Sequence, residues 1–147
     1  MRYSNDMFER CLYFNVNALA RAVNRVWDDA FAEFELAPSH AYLLRLVLSQ
    51  PGLTPKQISR ELKLEKSTIT RFLHVLQEKK LLLRKPSASG DARELGIYPT
   101  KSAERIADAL ENKGNQLYQQ MLDSVGKNKL SELVAELRTA EANLNRR

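Results

Sequence analysis

Along the first third of the chain, the apolar residues Leu12, Val16, Leu19, Val23, Val26, Trp27, Ala30 and Phe34 recur at steps of three and four. That is the period of one helix face, and it predicts a single long helix from residue 8 to about 34. Pro38 and Ser39 then open a second helix carrying Tyr42, Leu43, Leu46 and Val47, a buried strut that stops before the turn pair Pro51 and Gly52. Thr54, Pro55 and Gln57 form the start of a third: the threonine caps, proline suits the first helical position, and glutamine three residues on completes a capping box. This short helix ends near Leu62. A fourth, over residues 65–80, puts Ile69, Phe72, Leu73 and Leu76 on one face and Ser67, Thr70, Arg71 and His74 on the other.

Period two replaces period 3.6 after this point. Residues 82–85 and 94–98 read as two short strands, joined by the turn formers PSASGDAR. Thr100 caps a long helix marked by Ala103, Ile106, Ala107, Leu110, Leu117 and Met121, with Gly126 as its stop. A last helix from about residue 128 to 145 repeats the pattern with Leu130, Leu133, Val134, Leu137 and Leu144. The fold class expected is mainly α with a small β-hairpin. Within it, residues 36–100 make a winged helix-turn-helix, with a helical layer from residues 1–35 and 101–147. That layer carries more apolar stripe than a module of this size has surface to cover, so a second subunit is the natural partner.

Charge sharpens the picture. Residues 54–101 hold eleven Lys and Arg against five Asp and Glu, a surplus of six, while the rest of the chain has twelve against thirteen. The whole net charge of +5 therefore sits in the helix-turn-helix and hairpin, where binding of nucleic-acid phosphates needs it. Small hydroxyls and an arginine near a helix start suit entry into a major groove, since short side chains admit the backbone and arginine reaches a guanine edge. The residues singled out for double-stranded DNA are Thr54, Lys56, Lys66, Ser67, Thr68, Thr70, Arg71, His74, Arg84, Lys85, Asp91 and Arg93. Arg93 is placed to enter a minor groove from the hairpin, with Asp91 holding its guanidinium or shaping the loop.

Other classes fare worse. Cys11, His40 and His74 are the candidates for nucleophile or base, and they fall in separate elements with no glycine-rich phosphate cradle or paired carboxylates, so no enzyme is expected and no cofactor. A lone cysteine and two distant histidines give neither a disulfide nor a metal cluster. His40 reads as a surface residue at a helix start. No apolar run approaches the ~20 residues of a membrane span and no signal-peptide core opens the chain, so a cytoplasmic location is expected. RNA or protein contact by the winged helix is the rival use, but the basic region offers only Phe72 and Tyr98 as aromatics, both expected to face inward.

Three tracts carry a resemblance to a known family: LAPSHAYLLRLV (36–47), ISRELKLEKSTITRFLHVLQEKKLLLRK (58–85) and GDARELGIYPTKSAERI (90–106). Together with the element order, they make nearly the whole chain resemble the multiple-antibiotic-resistance regulators, the MarR family. The likeness implies one domain of that type forming a triangular homodimer. Its terminal helices would interlock and its two recognition helices would enter successive major grooves of a pseudo-palindromic operator. It implies a repressor, less often an activator, released by a small phenolic or other lipophilic ligand or by cysteine oxidation. Ser67, Thr68, Thr70 and Arg71 match the family's DNA-facing positions, and Asp91 with Arg93 its wing pair. Ala37 departs from the usual capping Thr or Ser, and IYPTKSA from the usual tract after the wing. The peroxide-sensing branch has a reactive cysteine in the first helix. Aligned on Arg21, that position is Tyr13, and Cys11 lies two residues earlier, turned by about 200°. Redox sensing through Cys11 is therefore the weaker alternative to a ligand response.

Overall fold

A computed structural model describes residues 6–87 and 93–146. The chain divides into two compact units, Met1–Leu110 and Glu111–Arg147. In the first unit, the region expected to be one long helix is interrupted twice. Helix α1 (Asp6–Glu9) ends at a turn, α2 (Leu12–Phe31) follows, and a 3-10 turn (Ala32–Phe34) closes it at Glu35, whose backbone is left-handed with φ 56°. The first break is built from side chains. Asn15 Nδ2 donates to the carbonyls of Phe8, Glu9 and Cys11 at 2.6, 3.3 and 2.8 Å, tying down groups that an unbroken helix would pair with its own amides. The rings of Phe8 and Phe14, 5.1 Å apart, close the corner. Apolar spacing runs unchanged through it, which is why periodicity missed it.

Helix α3 (Pro38–Ser49) starts at Pro38 and buries Ala41, Leu43, Leu44 and Val47. Tyr42, expected in the core, is 39% exposed instead and accepts a hydrogen bond from Trp27 Nε1 at 3.0 Å; Leu46 is only half-buried. The strut is thus turned by one residue, with Leu44 inward. Around it close Phe31, Ile58 from α4 (Pro55–Leu62), and Ile69, Leu73 and Leu76 from α5 (Lys66–Glu78), all fully or almost fully buried. Each such side chain contributes about 1.5–3 kcal/mol of transfer free energy, so this cluster fixes the pose of α5.

Strands β1 (Leu82–Pro86) and β2 (Leu95–Pro99) pair antiparallel, with Leu82 opposite Pro99 and Lys85 opposite Gly96. A third element, invisible to period counting because it is a single residue, joins them. Leu53 bridges Ile97, whose N–H donates to the Leu53 carbonyl at 2.8 Å while the Gly52 N–H donates to the Ile97 carbonyl at 2.8 Å. Gly96 permits this approach, since a Cβ there would stand 2.8 Å from the Gly52 carbonyl oxygen. Ile97 is buried, whereas Leu95, at the far end of the hairpin, is exposed.

Thr100 caps the next helix as expected, accepting from the Ala103 N–H at 3.2 Å, and also donates to the Lys80 carbonyl at 2.7 Å. It thereby binds the exit of the hairpin to the exit of α5. Helix α6 (Lys101–Val125) continues into the second unit and ends at Gly126, φ 102°, before α7 (Lys127–Leu144). In that unit Leu117 is buried, whereas α7 buries no described residue and leaves Val134, Leu137 and Leu144 exposed. In the first unit Met7, Phe8, Leu12, Tyr13, Phe14, Val16 and Leu19 are likewise exposed. No described helix is long and apolar enough to cross a membrane.

Candidate nucleic-acid interface

The site begins with the capping box. Thr54 Oγ1 accepts from the Gln57 N–H at 3.2 Å, and Gln57 Oε1 accepts from the Thr54 N–H at 2.9 Å. Helix α4 then ends on Lys63 in the left-handed conformation, φ 55°, where the N–H groups of Lys63 and Leu64 both return to the Ser59 carbonyl. Ser59 Oγ donates to the Leu64 carbonyl at 2.6 Å. Only Lys63, Leu64 and Glu65 separate the two helices, the tight spacing of a helix-turn-helix.

With Ile69, Leu73 and Leu76 inward, the opposite face of α5 presents Lys66, Ser67, Thr70, Arg71 and His74 to solvent. Its N-cap, Glu65, makes no side-chain capping bond, so the amides of the first turn are open to an anion such as a phosphate oxygen. Thr70 Oγ1 donates back to the Lys66 carbonyl at 3.0 Å, which turns its acceptor lone pairs outward. Arg71 Nη2 lies 3.5 Å from Oγ1 of the half-buried Thr68, and His74 Nε2 lies 3.3 Å from Glu78 Oε1.

An open groove of about 660 Å³ gathers Thr70, Arg71, His74 and Arg84 with His40, Phe72 and Val75. It joins α5 to the first strand of the hairpin and to the start of α3. Of the residues named from sequence, Lys56 is exposed on α4, and Lys85 and Arg93 are exposed on the hairpin. Asp91 lies outside the described residues. Thr54 is buried, with its hydroxyl engaged in the cap, so it serves as scaffold and presents no solvent-facing donor. Cys11 caps α2: its Sγ accepts from the Phe14 N–H at 3.5 Å.

Sequence reasoning placed His40 at the surface. It is half-buried instead, its ring 4.6 Å from that of Phe72 and edge-on to it, and burial together with nearby Lys79 lowers its pKa below the ordinary 6.5. Lys79 is drawn out of the basic surface, donating from Nζ to the Glu35 carbonyl at 2.7 Å. Neither pairing has a signal in local spacing, because the partners lie some 30 to 45 residues apart. No group of three or more His, Cys, Asp or Glu among the described residues is arranged to hold a metal ion.

A family model described as the MarR family matches residues 34–94, the span from the end of the 3-10 turn to the start of β2. No curated protein matches the chain in sequence. Solved structures match the fold nearly end to end. The S. aureus MepR–DNA complex has 19% identity and a TM-score of 0.80, over 93% of this chain and 99% of that one. The transcriptional repressor CouR, bound to a 23-mer DNA duplex, has 17% identity and a TM-score of 0.83, over 96% and 99%. The reduced form of MarR from E. coli has 18% identity and a TM-score of 0.69, over 88% and 96%. The helix-turn-helix with its hairpin, the matched segment and the shared fold agree: residues 34–94 are similar to the MarR family, and the chain has the winged-helix fold of these solved structures.

Proposed function

We propose that the chain binds double-stranded DNA sequence-specifically, as a cytoplasmic repressor acting as a homodimer on a pseudo-palindromic operator and released by a small lipophilic or phenolic effector. The exposed polar face of α5 carries this reading: Ser67, Thr70, Arg71 and His74 stand clear of the core on one helix whose other face is fully anchored. Arg71 then reads a base edge, Ser67, Thr68 and Thr70 admit the backbone, and Lys56, Lys66 and Lys85 meet phosphates. Arg93, steadied by Asp91, enters the minor groove from the hairpin. The two MarR-fold relatives solved with DNA support the same partner. Duplex DNA is favoured over RNA because neither aromatic of the basic region is free for base stacking: Phe72 packs on His40 and Tyr98 lies beneath Lys85. The exposed apolar residues of α1, α2 and α7 support the dimer, since a partner's surface would remove them from water. A ligand response is favoured over oxidation because Cys11 has a structural task at the α2 cap.

Selection of bound duplexes from a random pool tests the reading, paired with sedimentation of the free protein. The expected outcome is an inverted repeat with half-sites about one helical turn apart, from a protein of twice the 16.8 kDa chain mass. A selected pool without symmetry, or a monomer, contradicts the two-half-site arrangement.

A further inference from the structure

Strand β1 sends consecutive cations to opposite faces of the hairpin, as alternation requires. Arg84 lines the groove beside α5, whereas Lys85 turns the other way and sets its Nζ over the ring of Tyr98, 4.4 Å from the centroid. The register makes the two diagonal neighbours on one face, Lys85 opposite Gly96 and Tyr98 opposite Leu83. Gly96 leaves the path between them open, for a Cβ there would stand 3.1 Å from Tyr98 Cε2. The ring is itself fixed from behind. Its hydroxyl and Cζ lie against Gly52, held at φ 97°, where a Cβ would come within 3.1 Å of the hydroxyl oxygen. Tyr98 is thus a half-buried plate wedged against the 51–53 turn, with a cation resting on its outer face.

We propose that Tyr98 is a positioning residue for DNA binding: it holds the Lys85 ammonium at the root of the wing, pre-set for a backbone phosphate that Lys85 touches and Tyr98 does not. The inference rests on the DNA-binding reading. Lysine has a flexible four-carbon stem, and ordering it costs conformational entropy at the moment of binding unless something orders it beforehand. Cation–π attraction supplies that order without neutralising the charge, as a carboxylate partner would.

The test uses the full chain, a selected duplex and a scrambled one, over a salt series, with Lys85→Ala, Tyr98→Leu, Tyr98→Phe and the Lys85→Ala/Tyr98→Leu double variant. Lys85→Ala is expected to weaken both duplexes alike and to make the slope of log affinity against log salt shallower by up to about one. Tyr98→Leu is expected to weaken binding roughly two- to fivefold, Tyr98→Phe to restore it, and Tyr98→Leu to add nothing in the Lys85→Ala background. Independently of DNA, the Lys85 side-chain methylene protons should show an upfield ring-current shift in the wild type and Tyr98→Phe that disappears in Tyr98→Leu. If Tyr98→Leu weakens binding equally in the Lys85→Ala background, Tyr98 only buttresses the fold and the inference fails. If Lys85→Ala is silent while the wild type binds the selected duplex tightly, this inference fails alone; a wild type that binds neither duplex overturns the DNA reading with it.

Discussion

Arg71 and His40 border the same groove and differ in everything that sets a side chain's role. Arg71 is exposed, near the start of α5, with a long contact to Thr68; it has both reach and freedom to meet a base edge. Replacing it with alanine should cost about 1–3 kcal/mol on the selected duplex if it reads a guanine, and much less on scrambled DNA. Equal losses in a competition titration would reduce it to a phosphate clamp. His40 is half-buried against Phe72, and its lowered pKa means that the folded chain binds a proton there less readily than the unfolded chain. Below the unfolded pKa of about 6.5, the unfolded state therefore carries more protons, so stability rises with pH across that window. His40's contribution is complete above about pH 6.5 and is lost as pH falls through the native value. Urea unfolding from about pH 5 to 7.5 should show this slope flattened in His40→Phe; an unchanged slope would place the titration elsewhere. The polar face of α5 was legible in the sequence because Ser67, Thr70, Arg71 and His74 repeat at helical spacing. His40 and Tyr98 were not, since their roles come from partners brought in by tertiary folding.

Among the elements, the best-read boundary was the start of α4, where threonine, proline and glutamine form a local hydrogen-bonded unit that needs no tertiary help. The least legible was the break at Cys11, where a continuous apolar period conceals the Asn15 side chain's grip on three carbonyls. The Leu53 bridge escaped because one residue has no period, yet it anchors the wing to the body. Gly96 is the position where that anchorage is most exposed to change, with 2.8 Å between a would-be Cβ and backbone oxygen. Gly96→Ala should therefore destabilise the chain by about 1–3 kcal/mol, the usual cost of overpacking. Thermal unfolding, with Thr54→Ala as a reference for losing one cap at about 1–2 kcal/mol, would measure it. A neutral Gly96→Ala would show that the bridge does not hold the hairpin.

For the molecule as a whole, charge and hydrophobicity are segregated. The net charge lies in the helix-turn-helix and hairpin, while uncovered apolar side chains lie on α1 and α2 in one unit and on α7 in the other. The first asymmetry suits a polyanion and the second a second subunit. Both were legible from composition and period. The effector was not, because a ligand is recognised by the shape of a site assembled from separate elements. Titrating the selected and scrambled duplexes over a range of salt concentrations decides whether α5 reads a specific duplex. A preference of about 10³-fold or more for the selected duplex is expected. Affinity should fall with salt at a log–log slope of several units, as phosphate contacts release counterions. Equal affinity for both duplexes, or binding indifferent to salt, would mean that α5 does not read sequence.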